Sequence, residues 1–283
     1  MLHNYGLNKQ SRYFHAVKFL LALTAILISL VGFSQEEFSS GAPAAFGGTG
    51  LAESGLWALE YNQAGLGTLD GIEAGVTYQS PFLLSELDMG QGFVAMPLGE
   101  GGIGLSFSNS GFSLYNQSSY GLAYGRKLGE GINAGIQFNY FTLQLGEGYG
   151  STSAVTVEGG FQFDLNEQIT LAGHISNPNR SQLRGSNDEL PSYLRGGVAY
   201  HISTKVSAMA EIWKSVHHPA EIHAGLAYHP SEMISLGLGM SSNPGVVYGG
   251  FEFHVSDFSI GVATTYHNVL GYSPQISLAY RAQ

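Results

Sequence analysis

The sequence predicts an all-β chain: a transmembrane antiparallel β-barrel of about fourteen strands with an N-terminal hatch, or plug, segment. Three observations carry this. Beyond Gly71 the chain alternates apolar with small or polar residues at period two almost throughout. After the N-terminal residues no second run approaches a spanning helix, so a membrane could be crossed only by a closed barrel. Charged residues make up 11% of the chain, against about 25% in soluble domains, while it holds 40 glycines and 12% aromatics. Something other than water covers much of such a surface.

The elements follow in order. Lys9, Arg12 and Lys18 precede the apolar stretch from Phe19 to Phe33, the order of a secretory signal. That stretch is shorter than the roughly 20 residues a spanning helix needs. Small residues at Gly32 and Ser34 suit cleavage before Gln35, so residues 1–34 are expected to be a signal peptide that delivers the chain to the outer membrane. Residues 35–70 lack period two, are rich in Gly, Ala and Ser, and contain a candidate short helix from Leu51 to Glu60. They are expected to form the hatch, beneath or inside the barrel. Residues 71–283 form the barrel, with candidate strands near 71–79, 89–98, 102–109, 117–126, 131–145, 152–165, 168–176, 192–202, 205–213, 220–229, 232–241, 245–255, 257–266 and 274–282.

Connections alternate in length. Tight turns at 99–101, 128–130, 166–167, 203–204, 230–231 and around Ser256 are separated by longer links, among them 80–88, 110–117, 146–151, 177–190 and 267–273. Short turns on one rim and longer loops on the other describe an outer-membrane barrel whose short rim faces the periplasm. On the apolar face Tyr124, Phe163, Tyr200, Tyr228, Phe253, Phe258 and Tyr280 fall near short turns or the C-terminus, which predicts a periplasmic aromatic girdle at the lipid headgroups. The opposite parity places Glu73, Glu158, Glu211, Glu221, His223 and Glu252 in the lumen, with Arg126 and Arg195 near the rims. Charges in such a place need partners, from one another or from the hatch.

Gly41 to Gly50, with Gly47, Gly48 and Gly50, then Trp57-Ala58, then Asn62-Gln63-Ala64-Gly65-Leu66, resembles the N-terminal signature of the FadL superfamily of outer-membrane transporters. Gln63 stands where relatives commonly carry Pro. The superfamily also includes PorV- and PorQ-like proteins of the type IX secretion apparatus. The resemblance implies a fourteen-stranded barrel plugged by its N-terminal segment, and two functions. One is passive transport of small hydrophobic molecules through a plug-gated lumen. The other is an accessory barrel docked on a secretion or surface assembly.

Other classes are set aside on composition. An acidic chain, with 21 Asp and Glu against 11 Lys and Arg, has no electrostatic footprint for nucleic acid. With no Cys there is no disulfide framework or thiolate site. Of His217, His218 and His223, the first two are adjacent in a loop, so no metal is expected, nor any cofactor. A lipid-modifying barrel enzyme needs a nucleophile and base together on the outer wall; no Ser stands beside an outward His, so no catalytic residue is expected. The predicted surroundings are outer-membrane lipid and either a small hydrophobic substrate or a secretion or surface protein.

Overall fold

Alternating sequence becomes fourteen strands because successive side chains on extended backbone point to opposite faces. The computed structural model describes residues 41–185, 188–216 and 218–282. The expected signal peptide, the first six residues of the expected hatch, and His217 lie outside them. The strands are β1 (Glu73–Gln79), β2 (Met89–Leu98), β3 (Gly101–Phe112), β4 (Tyr115–Gly129), β5 (Ile132–Leu145), β6 (Gly150–Asn166) and β7 (Ile169–Ser176). They continue as β8 (Tyr193–Ser203), β9 (Val206–Ser215), β10 (Glu221–Ser231), β11 (Ile234–Ser241), β12 (Val246–Val255), β13 (Phe258–His267) and β14 (Gly271–Arg281). Each pairs antiparallel with its neighbours in sequence, and β1 closes on β14 with Glu73 opposite Arg281. Closure leaves no strand edge unpaired.

All fourteen predicted strands form, but the link lengths need correction. Turns on one rim are two residues long, whereas the opposite rim is mostly short as well. Its long links are 80–88 and 177–192, and the expected loop 110–117 is a tight hairpin with Phe112 opposite Tyr115. The polar residues that read as loop formers there pair across strands. Asn109 Nδ2 donates to Asn116 Oδ1 at 2.9 Å and to Ser118 Oγ at 2.8 Å, and such cross-strand pairs stabilise a ladder. Rim asymmetry therefore rests on two loops.

The outward face is apolar: Leu105, Leu226, Leu238 and Ile276 are more than half exposed. Hydrocarbon solvates a continuous surface of this kind far better than water does. Among the described residues no helix is long and apolar enough to cross a membrane.

Residues 41–70 run inside this wall as short helical turns at Ala42–Phe46, Gly55–Trp57, Ala58–Tyr61 and Gln63–Thr68. The expected helix starts late, because Gly55 sits at φ 73°. The main apolar core lies between this segment and the wall, where Leu56, Trp57, Leu59 and Leu66 pack on Phe93, Ala95 and Ala123. A smaller cluster joins Ala44, Ala45 and Phe46 to Ala227 and Ala263. Inward small residues make room for both.

Candidate functional site

A segment with so little secondary structure cannot satisfy its own backbone, so buried N–H and C=O groups must find partners on the wall. The inward polar residues supply them. Glu73 Oε2 accepts from Leu56 N at 2.7 Å, and Glu211 Oε1 accepts from Leu51 N at 2.9 Å. Gln162 Nε2 donates to Leu51 O at 3.0 Å and to Glu53 O at 2.7 Å, while His223 Nδ1 lies 2.8 Å from Gly47 O. Of the predicted lumen set, Glu73, Glu211 and His223 thus hold the segment directly. Glu158 meets the Gln63 side chain at 3.4 Å. Glu221 sits beside His223 at 3.5 Å and Glu252 beside His254 at 3.6 Å. Gln162 did not stand out in the sequence, where only its inward parity marks it.

Close approach is set by glycine. Gly102, Gly125, Gly135 and Gly160 are successive register partners on β3 to β6. An added Cβ would lie 2.3 Å from Gln63 C at Gly135 and 2.1 Å from Asn62 Oδ1 at Gly160. The row is a trough that receives Asn62 to Leu66. Asn62 is fully buried and donates to Leu51 O at 2.8 Å and Phe161 O at 3.1 Å, and its Oδ1 accepts from Ala64 N at 3.2 Å. Gly65 presses on Glu53 O, leaving no room for a side chain, and Ala64 and Leu66 are completely covered. Trp57 meets Phe93 edge to face at 5.8 Å. Gly47, at φ 82°, turns the chain against the β10 backbone, and Gly48 and Gly50 are buried beside it.

The same register row continues as His174, Arg195, Trp213 and Glu221. Arg195, which the sequence placed near a rim, is buried with its guanidinium 4.2 Å over the Trp213 ring, and Trp213 stacks on His223 at 3.9 Å. Trp213 Nε1 also donates to Glu211 Oε2 at 2.8 Å. Large side chains therefore fill the side of the lumen that glycines leave open on the other.

Between the segment and β8 to β12 lies a cavity of about 860 Å³ that opens at the short-turn rim beside Lys205 and Pro230. Phe46 and Met209 give it an apolar floor, and His201, His229 and His254 line its mouth. Each imidazole is held by a serine. His201 Nδ1 lies 2.9 Å from Ser207 Oγ, and Ser235 Oγ lies 2.8 Å from His229 Nδ1 and 3.1 Å from His254 Nε2. Glu252 approaches the same nitrogen of His254 as Ser235 does, whereas a base oriented for nucleophile activation holds its carboxylate on the opposite ring nitrogen. Burial pushes the Glu53 carboxyl, at the cavity wall, up to about 7, with Glu252 and Glu211 adding to the rise. Near the rim a hydrogen bond from Arg281 holds the Asp70 carboxyl below its usual range. Among the described residues no three His, Asp or Glu side chains converge where a metal ion could sit.

The structure places Tyr124, Phe163, Tyr200, Tyr228, Phe253, Phe258 and Tyr280 outward and exposed, all toward the short-turn rim. Phe258 and Tyr280, cross-strand partners, pack at 5.0 Å.

No family model and no curated protein matches the sequence. Solved structures do. The toluene transporter TodX of P. putida is 13% identical, with 88% of this chain and 100% of that one covered at a TM-score of 0.64. The toluene transporter TbuX of Ralstonia pickettii is 11% identical, covering 87% and 99% at 0.65. A Pseudomonas aeruginosa FadL homologue is 10% identical, covering 88% and 99% at 0.59. At such identities the likeness establishes architecture: the chain is a closed fourteen-stranded antiparallel barrel with the fold of the FadL-type transporters.

Proposed function

We propose that this chain is an outer-membrane channel for small hydrophobic molecules, closed at rest by its N-terminal segment, with residues 1–34 a cleaved signal and residues 35–70 the plug. The carrying observation is the seat of residues 41–70: backbone anchored by Glu73, Gln162, Glu211 and His223 above a cavity of about 860 Å³ open at one rim. A barrel whose interior served only stability would be filled by wall side chains. Here small residues leave space, a separate segment occupies it, and a molecule-sized void remains. The aromatic girdle supports the orientation, with the cavity mouth and both barrel ends toward the periplasm. The hydrocarbon class rests on the neighbours, two of them toluene transporters. Uptake of radiolabelled toluene by cells lacking other hydrocarbon channels tests this. Expression should raise the initial rate several-fold, and an unchanged rate overturns it.

A second reading is favoured by the wall. Among the described residues ladder shifts occur only near two-residue turns, at Lys127/Gly129, Asp164/Asn166, His201/Ser203 and Tyr228/Ser231. Elsewhere the paired strands run without a break that would open sideways into lipid. A sealed wall suits a PorV- or PorQ-like barrel docked on a secretion or surface assembly. Copurification in mild detergent separates the two, because a docking barrel brings a stoichiometric large subunit and a channel arrives alone.

A further inference from the structure

Most contacts that hold the inner segment reach its backbone, and a backbone group is the same whatever residue carries it. Gln63 is different. Its side chain is fully buried and reaches Glu158 on β6 and His174 on β7, at the position where the resembling family commonly carries Pro. Gln63 Nε2 donates to Glu158 Oε2 at 3.4 Å, and Gln63 Oε1 lies 3.2 Å from His174 Nε2. His174 Nε2 is also 3.4 Å from Glu158 Oε2. On the far side Asn139 Nδ2 donates to Glu158 Oε1 at 2.7 Å, and Gln137 Nε2 donates to Asn139 Oδ1 at 2.8 Å. The donor pattern is consistent throughout: the His174 Nε2–H is shared by two acceptors, and the amide is acceptor to one partner and donor to the other.

We propose that Gln63, Glu158 and His174 form the latch that keeps the inner segment closed, so that opening of the lumen begins when these three contacts part. The proposal rests on the plug reading above and names the contact that governs it. Three features make this the controlling point. The glycine trough brings the backbone of this residue close against β4 and β5, at Gly125 and Gly135, so the amide is delivered to the wall without freedom to swing. The latch includes a carboxylate in a confined lumen, and withdrawing Gln63 takes one donor from Glu158 and leaves the His174 Nε2–H with Glu158 alone, at 3.4 Å, a loss larger than for a neutral pair. His174 Nδ1 is already buried without a partner among the described residues, so no bond at the other ring nitrogen offsets the loss. Proline at position 63 makes neither side-chain bond, which marks the latch as a property of this chain's own sequence.

Hydrogen exchange of the purified barrel tests it, read at the amides of Ala64 and Gly65, which bond to Asn62. Gln63→Leu and Glu158→Leu should each speed exchange there at least tenfold, and the double variant should add little to either. The amide of Gly48, bonded to Pro43 O in the opposite cradle, and the strand ladders should stay protected. Gln63→Glu sets two carboxylates together, so its exchange should rise with pH beyond the intrinsic dependence of amides. Exchanging the pair, Gln63→Glu with Glu158→Gln, restores one acid facing one amide and should restore protection. Additive single effects, a failed exchange, or unchanged rates at Ala64 and Gly65 each overturn the latch. None of these readouts depends on transport. Toluene uptake that is absent while the exchange pattern holds refutes the channel and leaves the contact standing.

Discussion

Glu211 Oε1 accepts the backbone N–H of Leu51 at 2.9 Å, while its other oxygen accepts from Trp213 Nε1 at 2.8 Å. One wall carboxylate therefore ties the inner segment to the aromatic column that fills the lumen beside it. Replacing Glu211 by Ala strands two buried donors, at about 1–3 kcal/mol each. Exchange at the Leu51 amide should accelerate by at least tenfold while the β-ladders keep their protection.

The glycine trough makes an opposite kind of prediction, by addition. In Gly160→Ala the new methyl would lie 2.1 Å from Asn62 Oδ1, and Asn62 has no exposure through which to retreat. The segment must lift. Proteolysis within residues 41–70 should become fast, while unheated samples keep the gel mobility of a folded barrel.

Glu53 sets a pH dependence with a definite sign. Its folded value of about 7 lies above the ordinary 4.5, so its contribution to docking is fully present below pH 4.5 and lost as pH rises through about 7. Proteolytic release of the segment should be slower at pH 5 than at pH 8. Glu53→Gln should flatten that difference.

Depth in the membrane separates two outward positions. Leu238 is 67% exposed in mid-strand, opposite Leu226 and Gly249, whereas Tyr228 lies near a two-residue turn. Leu238→Arg should destabilise the barrel by about 2–4 kcal/mol, and Tyr228→Arg by about 0–1 kcal/mol. Denaturant unfolding from lipid vesicles measures both, and equal costs would contradict the lipid-facing assignment.

The strands were legible because period two is a local signal and one wall face is apolar along its length. Loop lengths were less so. Asn109, Asn116 and Ser118 have turn chemistry in isolation, and only cross-strand pairing makes them part of a hairpin. The inward carboxylates could be listed from parity, but their tasks could not, since these depend on where residues 41–70 lie inside the wall. Gln162 and Trp213 carried no signal beyond their parity. Arg195 misled through its nearness to a loop, when the Trp213 ring beneath it gives a buried guanidinium its place. Gln63 was visible as a departure from the signature, and its meaning emerged only with His174 and Glu158 around it.

The central claim is that residues 41–70 close a lumen that is otherwise passable. Planar-bilayer conductance of the full chain against a variant lacking residues 36 to 68 tests it most directly. The full chain should stay closed apart from brief openings, and the shortened barrel should carry a steady conductance. A shortened barrel that folds, inserts and still conducts no more than the bare bilayer would contradict the account.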